Sequence, residues 1–152
     1  MAASSSRSPP TWFRIVALLA VLWNAFGVAM YLSSVGIFGD PMAGLTEAER
    51  AAASSIPSWI TGAFAIGTFA GLLGSLGLAL RMDWAVPVFI VSLVALLVLE
   101  GWIVFFSGAL EIFGIAVPIM VSAGAILLGW VAVHARQRGW LSKAVDHRTP
   151  GR

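Results

Sequence analysis

The sequence predicts an all-α membrane protein: four transmembrane helices in an antiparallel bundle, with a short amphipathic helix in the first outer loop. Three observations predict it. Hydrophobic residues are 59% of the 152 residues and charged residues 11%, whereas soluble domains run near about 45–50% and about 25%. A chain this short has too much surface for its volume to hide so many apolar side chains from water. The apolar residues also gather in four stretches, about 12–33, 57–80, 84–107 and 113–135. Each is about 22 residues or slightly longer, enough at about 1.5 Å per residue to cross a hydrocarbon core of about 30 Å.

Helices are required because an open strand in lipid leaves backbone groups unpaired, and the alternating pattern of a barrel strand is absent. The first stretch follows a segment (residues 1–11) that carries Arg7, as in a signal peptide. Its apolar run is longer than the roughly 7–15 residues of a signal peptide and no small-residue cleavage site follows, so it reads as an uncleaved first membrane helix. Residues 34–56 form the one long loop, with Asp40, Glu47, Glu49 and Arg50. Within it Thr46-Glu47-Ala48-Glu49 is a capping-box pattern ahead of an alanine-rich run, which predicts the short surface helix. Pro57 opens the second span at the tolerated first helical position.

The link Arg81-Met82-Asp83 and the loop around 108–111, which contains Glu111, are too short for anything but antiparallel neighbours. Pro118 either kinks the fourth span or sits harmlessly near its start. From Arg136 the chain turns polar, and residues 136–152 read as a basic tail.

Charge sets the expected orientation. Arg7, Arg14, Arg81, Arg136, Arg138, Lys143, Arg148 and Arg152 fall on one side of the four-span arrangement, and Arg50 alone on the other. Basic residues stay on the cytoplasmic side, so both termini are expected there. Trp12, Trp84 and Trp140 then anchor the cytoplasmic boundary, and Tyr31 and Trp59 the outer one. The net charge of +2 is small and the bases cluster at the chain ends. That excludes a nucleic-acid groove and leaves the lipid bilayer, with its anionic headgroups, as the counter-charge.

Two features carry chemistry. Ala63, Gly67, Gly71, Ser75 and Ala79 recur every four residues on the second span, widened by Gly74 and Gly77. Small residues let helices in lipid approach closely, so this stripe is either the packing spine of the monomer or the seam of a homodimer. Glu100 is the ionisable residue deepest within a span, where a charge is expensive and often marks a proton or cation path. Counting from the cytoplasmic ends, Asn24, Thr68, Glu100 and Ser122 all fall roughly 18–21 Å deep, one from each helix. That layer is either a polar site titrating at Glu100 or a structural hydrogen-bond cluster.

No catalytic residues are expected, since no nucleophile–base pair or phosphate-binding loop is present. Cysteine is absent, and His134 and His147 lie in different settings, so no metal site or cofactor is expected.

Leu22-Trp23-Asn24-Ala25-Phe26-Gly27, Pro57-Ser58-Trp59, the run from Gly74 to Arg81, Trp84-Ala85-Val86-Pro87 and Arg138-Gly139-Trp140 together resemble a family of small bacterial four-helix inner-membrane proteins commonly labelled "sugar transporter". The resemblance covers nearly the whole chain. It implies a bacterial inner-membrane location and transport, and brings no binding residues with it. A sugar needs a pocket of several hundred cubic ångströms, more than a packed four-helix monomer holds. Movement of a solute or cation would therefore fall to an oligomer, with Glu100 coupling protons. The competing reading is a non-catalytic accessory or scaffold subunit of a larger membrane complex, which needs no cavity.

Overall fold

A computed structural model of the chain describes residues 8–107 and 114–142. The expected N-terminal segment up to residue 7, the link at 108–113 with Glu111, and the tail from 143, including His147, lie outside the described residues.

All four apolar stretches are helices long and apolar enough to cross a membrane, and they form an all-α bundle. They are α1 (Thr11–Ser34), α3 (Ser58–Ala79), α4 (Ala85–Phe105) and α5 (Ala116–Gln137), and the short α2 (Glu47–Ser54) lies in the loop between α1 and α3. Pro57 is the N-cap of α3 with extended backbone, one place before the position expected for it. Pro118 is the third residue of α5, in the first turn, where its missing N–H removes no helical bond. The kink that a mid-helix proline would impose does not arise.

Helix α3 packs on both α1 and α4, and α4 packs on α5. The circuit closes on side chains, because Phe13, Ala17 and Ala20 of α1 share one buried cluster with Leu128, Val131, Ala132 and Ala135 of α5. The central pair is the better covered: 39% and 33% of the apolar windows of α3 and α4 are buried, against 17% for both α1 and α5. Leu18, Leu22, Phe26, Ile90, Val94, Ile119, Leu127 and Trp130 are exposed along the outside. Water would not tolerate so continuous an apolar surface, and lipid does.

Three helices end in the same way. After α1, Gly36 N–H bonds Ser33 O and Ile37 N–H bonds Leu32 O. After α5, Gly139 N–H bonds Arg136 O and Trp140 N–H bonds Ala135 O. Both glycines have positive φ, at 83° and 70°, as this helix-ending motif requires. After α3 the same pair of bonds forms, Arg81 N–H to Leu78 O and Met82 N–H to Gly77 O, with arginine at the left-handed position, φ 62°.

The chain after α5 then returns to that turn. Ser142 N–H donates to Arg81 O at 2.6 Å, Asp83 N–H donates to Ser142 O at 3.1 Å, and Arg81 Nε donates to Trp140 O at 3.0 Å. Trp140 is thereby fixed edge-on to Trp12, Phe13 and His134. This clasp closes the end of the bundle where α1 begins and α5 ends, called the base below. The opposite end, with α2, is the crown. There the box expected at Thr46 is complete: Glu49 N–H donates to Thr46 Oγ1 at 3.3 Å, and Thr46 N–H and Oγ1–H donate to Glu49 Oε2 at 2.7 and 2.8 Å.

Candidate functional site

The small-residue stripe faces the inside of the monomer. A Cβ added at Gly67 would lie 2.7 Å from Leu96, one at Gly74 3.1 Å from the Phe89 ring, and one at Gly77 2.8 Å from the Trp84 ring. At Gly71 it would collide with Asn24 Oδ1 and sit 3.1 Å from Ser92 Oγ. Gly67, Gly71 and Ser75 are buried, Ala63 is half-buried, and Ala79 at the base is exposed. The middle of the stripe is filled by α1 and α4 of the same chain, so it holds the bundle together and is not available as the seam of a homodimer.

That close approach builds a polar node. Asn24 Nδ2 donates to Ser75 Oγ and to Ala20 O, each at 2.9 Å, Ser75 Oγ–H donates to Gly71 O at 2.8 Å, and Ser92 Oγ–H reaches across from α4 to Gly67 O at 2.7 Å. Without a side chain at 67 the Gly67 carbonyl is reachable from α4, and without one at 71 Asn24 of α1 comes within reach of the Ser75 hydroxyl, which is how buried polar groups find partners in lipid. Asn24 and Ser92 also edge a central cavity of about 30 Å³ whose other walls include Trp23, Phe89, Leu96 and Ala125. That volume has room for a water molecule or two.

The four residues expected in one layer are not joined. Asn24 pairs with Ser75, which sequence spacing had assigned to packing alone. Thr68 Oγ1–H returns to Phe64 O at 2.9 Å and Ala65 O at 3.2 Å within α3. Ser122 is half-buried, and its hydroxyl makes no hydrogen bond among the described residues. Glu100 is 8% exposed, and its Oε2 is buried with no hydrogen-bond partner among the described residues, as is Trp102 Nε1.

The depths differ for a geometrical reason. Gly71 meets both Asn24 and Ser92, so those two share a level. Glu100 lies eight residues beyond Ser92, about 12 Å further toward the crown. Continuing the register in which Gly67 meets Leu96 sets Glu100 level with Ala63 of α3. Counted from the start of its own span at 84, Glu100 is already about 24 Å deep, and α1 begins further toward the base than α3, because Asn24, 13 residues from Thr11, shares a level with Gly71, eight residues from Ala79.

His134 stacks on Trp130 at 5.2 Å and meets Trp140 edge-on at 5.7 Å, a packing role at the base. Among the described residues no group of three or more His, Cys, Asp or Glu could hold a metal. A groove of about 280 Å³ lies between the basal ends of α1 and α3, lined by Phe13, Arg14, Ala17, Leu18, Ala79 and Arg81. Sequence reading missed it, because Arg14 and Arg81 are far apart in the chain. Comparison with family models, with curated proteins and with solved structures finds no match.

Proposed function

We propose that this chain is a multi-pass protein of a bacterial inner membrane, its base toward the cytoplasm, that serves as a non-catalytic accessory or scaffold subunit of a larger membrane complex. One observation carries the reading. The core of the bundle is filled, with a central cavity of about 30 Å³, against the several hundred cubic ångströms of a pocket that takes a sugar-sized ligand. The eight-to-one asymmetry of basic residues supports the orientation. The resemblance to small four-helix inner-membrane proteins supports the location. Extraction of native membranes in a mild detergent tests it: a stable complex with a different chain is expected, and recovery of only monomer or homodimer would sink the idea.

A second reading, movement of a proton or cation by an oligomer, draws on Glu100, whose Oε2 is the one buried carboxylate oxygen left open among the described residues. Flux into reconstituted vesicles decides it. An unchanged flux and pH dependence in Glu100→Gln removes the coupling role.

A further inference from the structure

We infer that the central cavity binds one ordered water molecule, which bridges Asn24 of α1 and Ser92 of α4 in the middle of the bundle. Three observations meet there. The first is room: the cavity of about 30 Å³ exceeds the roughly 10–15 Å³ that one water needs. The second is unspent hydrogen-bonding capacity in its walls. Asn24 uses its amide nitrogen twice, toward Ala20 O and Ser75 Oγ, while its Oδ1 accepts nothing among the described residues. That oxygen is not sealed off either. The side-chain atoms buried without a partner among the described residues are Glu100 Oε2 and Trp102 Nε1, and Asn24 Oδ1 is not one of them. Ser92 spends its proton on Gly67 O, which leaves the lone pairs of its oxygen free to accept.

The third observation sets these two oxygens together. Both lie against the point where Gly71 lacks a Cβ, Ser92 Oγ at 3.1 Å and Asn24 Oδ1 closer still. One water reaches both, since two hydrogen bonds of about 2.8 Å bridge atoms up to about 5.5 Å apart. Neither oxygen has a proton to give, so the water donates one hydrogen to each. The walls from α5 are the apolar Val121, Ala125 and Leu128, so that helix offers no side chain to take the place of the water. An amide oxygen left bare in a low-dielectric interior is costly, and a bridging water removes the cost. The bridge ties α1 to α4 across the diagonal of the bundle, with α3 packed on both.

The water site rests on neither role proposed above, so it stands or falls separately from them. The test is proton-detected solid-state NMR of the full chain in bilayers of deuterated lipid, reading magnetisation passed from water to the side-chain amide of Asn24. Transfer to Asn24 is expected, and none to the amide of Val94, which lies near the same level on the exposed side of α4. Ala125→Val, which fills the cavity and touches none of the hydrogen-bonding groups, is expected to abolish the transfer while the backbone amide spectrum of α3 is retained. Gly129→Ala, at an open position on the same helix, leaves the transfer unchanged. Absence of transfer to Asn24 in the parent chain, equal transfer to Asn24 and Val94, or transfer that persists in Ala125→Val overturns the proposal. If Ala125→Val does not fold, Val121→Ile, which fills the same cavity from one turn along α5, decides in its place.

Discussion

The side-chain amide of Asn24 donates to Ser75 Oγ at 2.9 Å across the α1–α3 contact, while its carbonyl oxygen rests where a Cβ at Gly71 would be. The hydrogen bond and the glycine depend on each other, since Asn24 reaches Ser75 only because nothing projects from position 71. Gly71→Ala should therefore destabilise the bundle by about 1–3 kcal/mol, the usual cost of overpacking a filled core. Gly62→Ala and Gly129→Ala, where an added Cβ meets nothing within 4 Å, should be neutral or slightly stabilising, because alanine favours a helix over glycine by up to about 1 kcal/mol. Denaturant unfolding in a mild detergent, followed by tryptophan fluorescence, ranks the three variants. Equal effects at all three positions would contradict the packing described here.

The pair itself can be measured by a double-mutant cycle. Asn24→Ala and Ser75→Ala should each destabilise the bundle, and the double variant should lose less than the sum by about 0.6–1.7 kcal/mol, the range for hydrogen bonds between membrane helices. Glu100→Gln with Ser75→Ala should be additive, since Glu100 lies near the level of Ala63, well toward the crown from Ser75. A coupling of similar size in the second cycle would restore the single polar layer that the register of α3 and α4 separates.

Much of this fold was legible because lipid leaves few options. Four apolar runs, two short links and a capping box at Thr46 sufficed for the spans and for α2. The inward face of α3 was legible from its small residues, although its two faces are about equally apolar and ordinary amphipathicity is silent there. The polar level was not, because α1 begins further toward the base than α3, and Glu100 lies about 24 Å along its own span. The clasp was not legible either. Its bonds between residues 81–83 and 140–142 run mostly through backbone atoms, which leave no pattern in the sequence. Arg81 stands where glycine would have announced the turn.

Trp140 gives that clasp its weight. Its ring lies 5.6 Å from Trp12, 5.5 Å from Phe13 and 5.7 Å from His134. Trp140→Ala should cost about 2 kcal/mol, at the low end for loss of a large aromatic because the ring is only half-buried. Trp140→Phe should recover most of it. Thermal unfolding in detergent provides the measurement, and Trp130→Ala on the exposed side of α5 is the control. Equal losses for the two tryptophans would mean that the clasp adds nothing beyond apolar area.

At the crown, stability of α2 should depend on pH through Glu49. Its carboxylate accepts from Thr46 N–H and from the Thr46 hydroxyl, and these bonds hold its pKa below the ordinary 4.5. The folded value is the lower one, so the charged form is favoured by folding. Its contribution is therefore fully present above pH 4.5 and is lost as pH falls through the lowered folded value. Amide exchange over residues 47–54 should accelerate in that acid window, after correction for the intrinsic rate, while α3 and α4 stay protected. Glu49→Gln should flatten the dependence, because a glutamine can still accept at this position but does not titrate. Thr46→Ala should give fast exchange at every pH, since it removes the hydroxyl on both sides of the box. If α2 exchanges at one corrected rate across the window in the parent chain, the box does not control this helix.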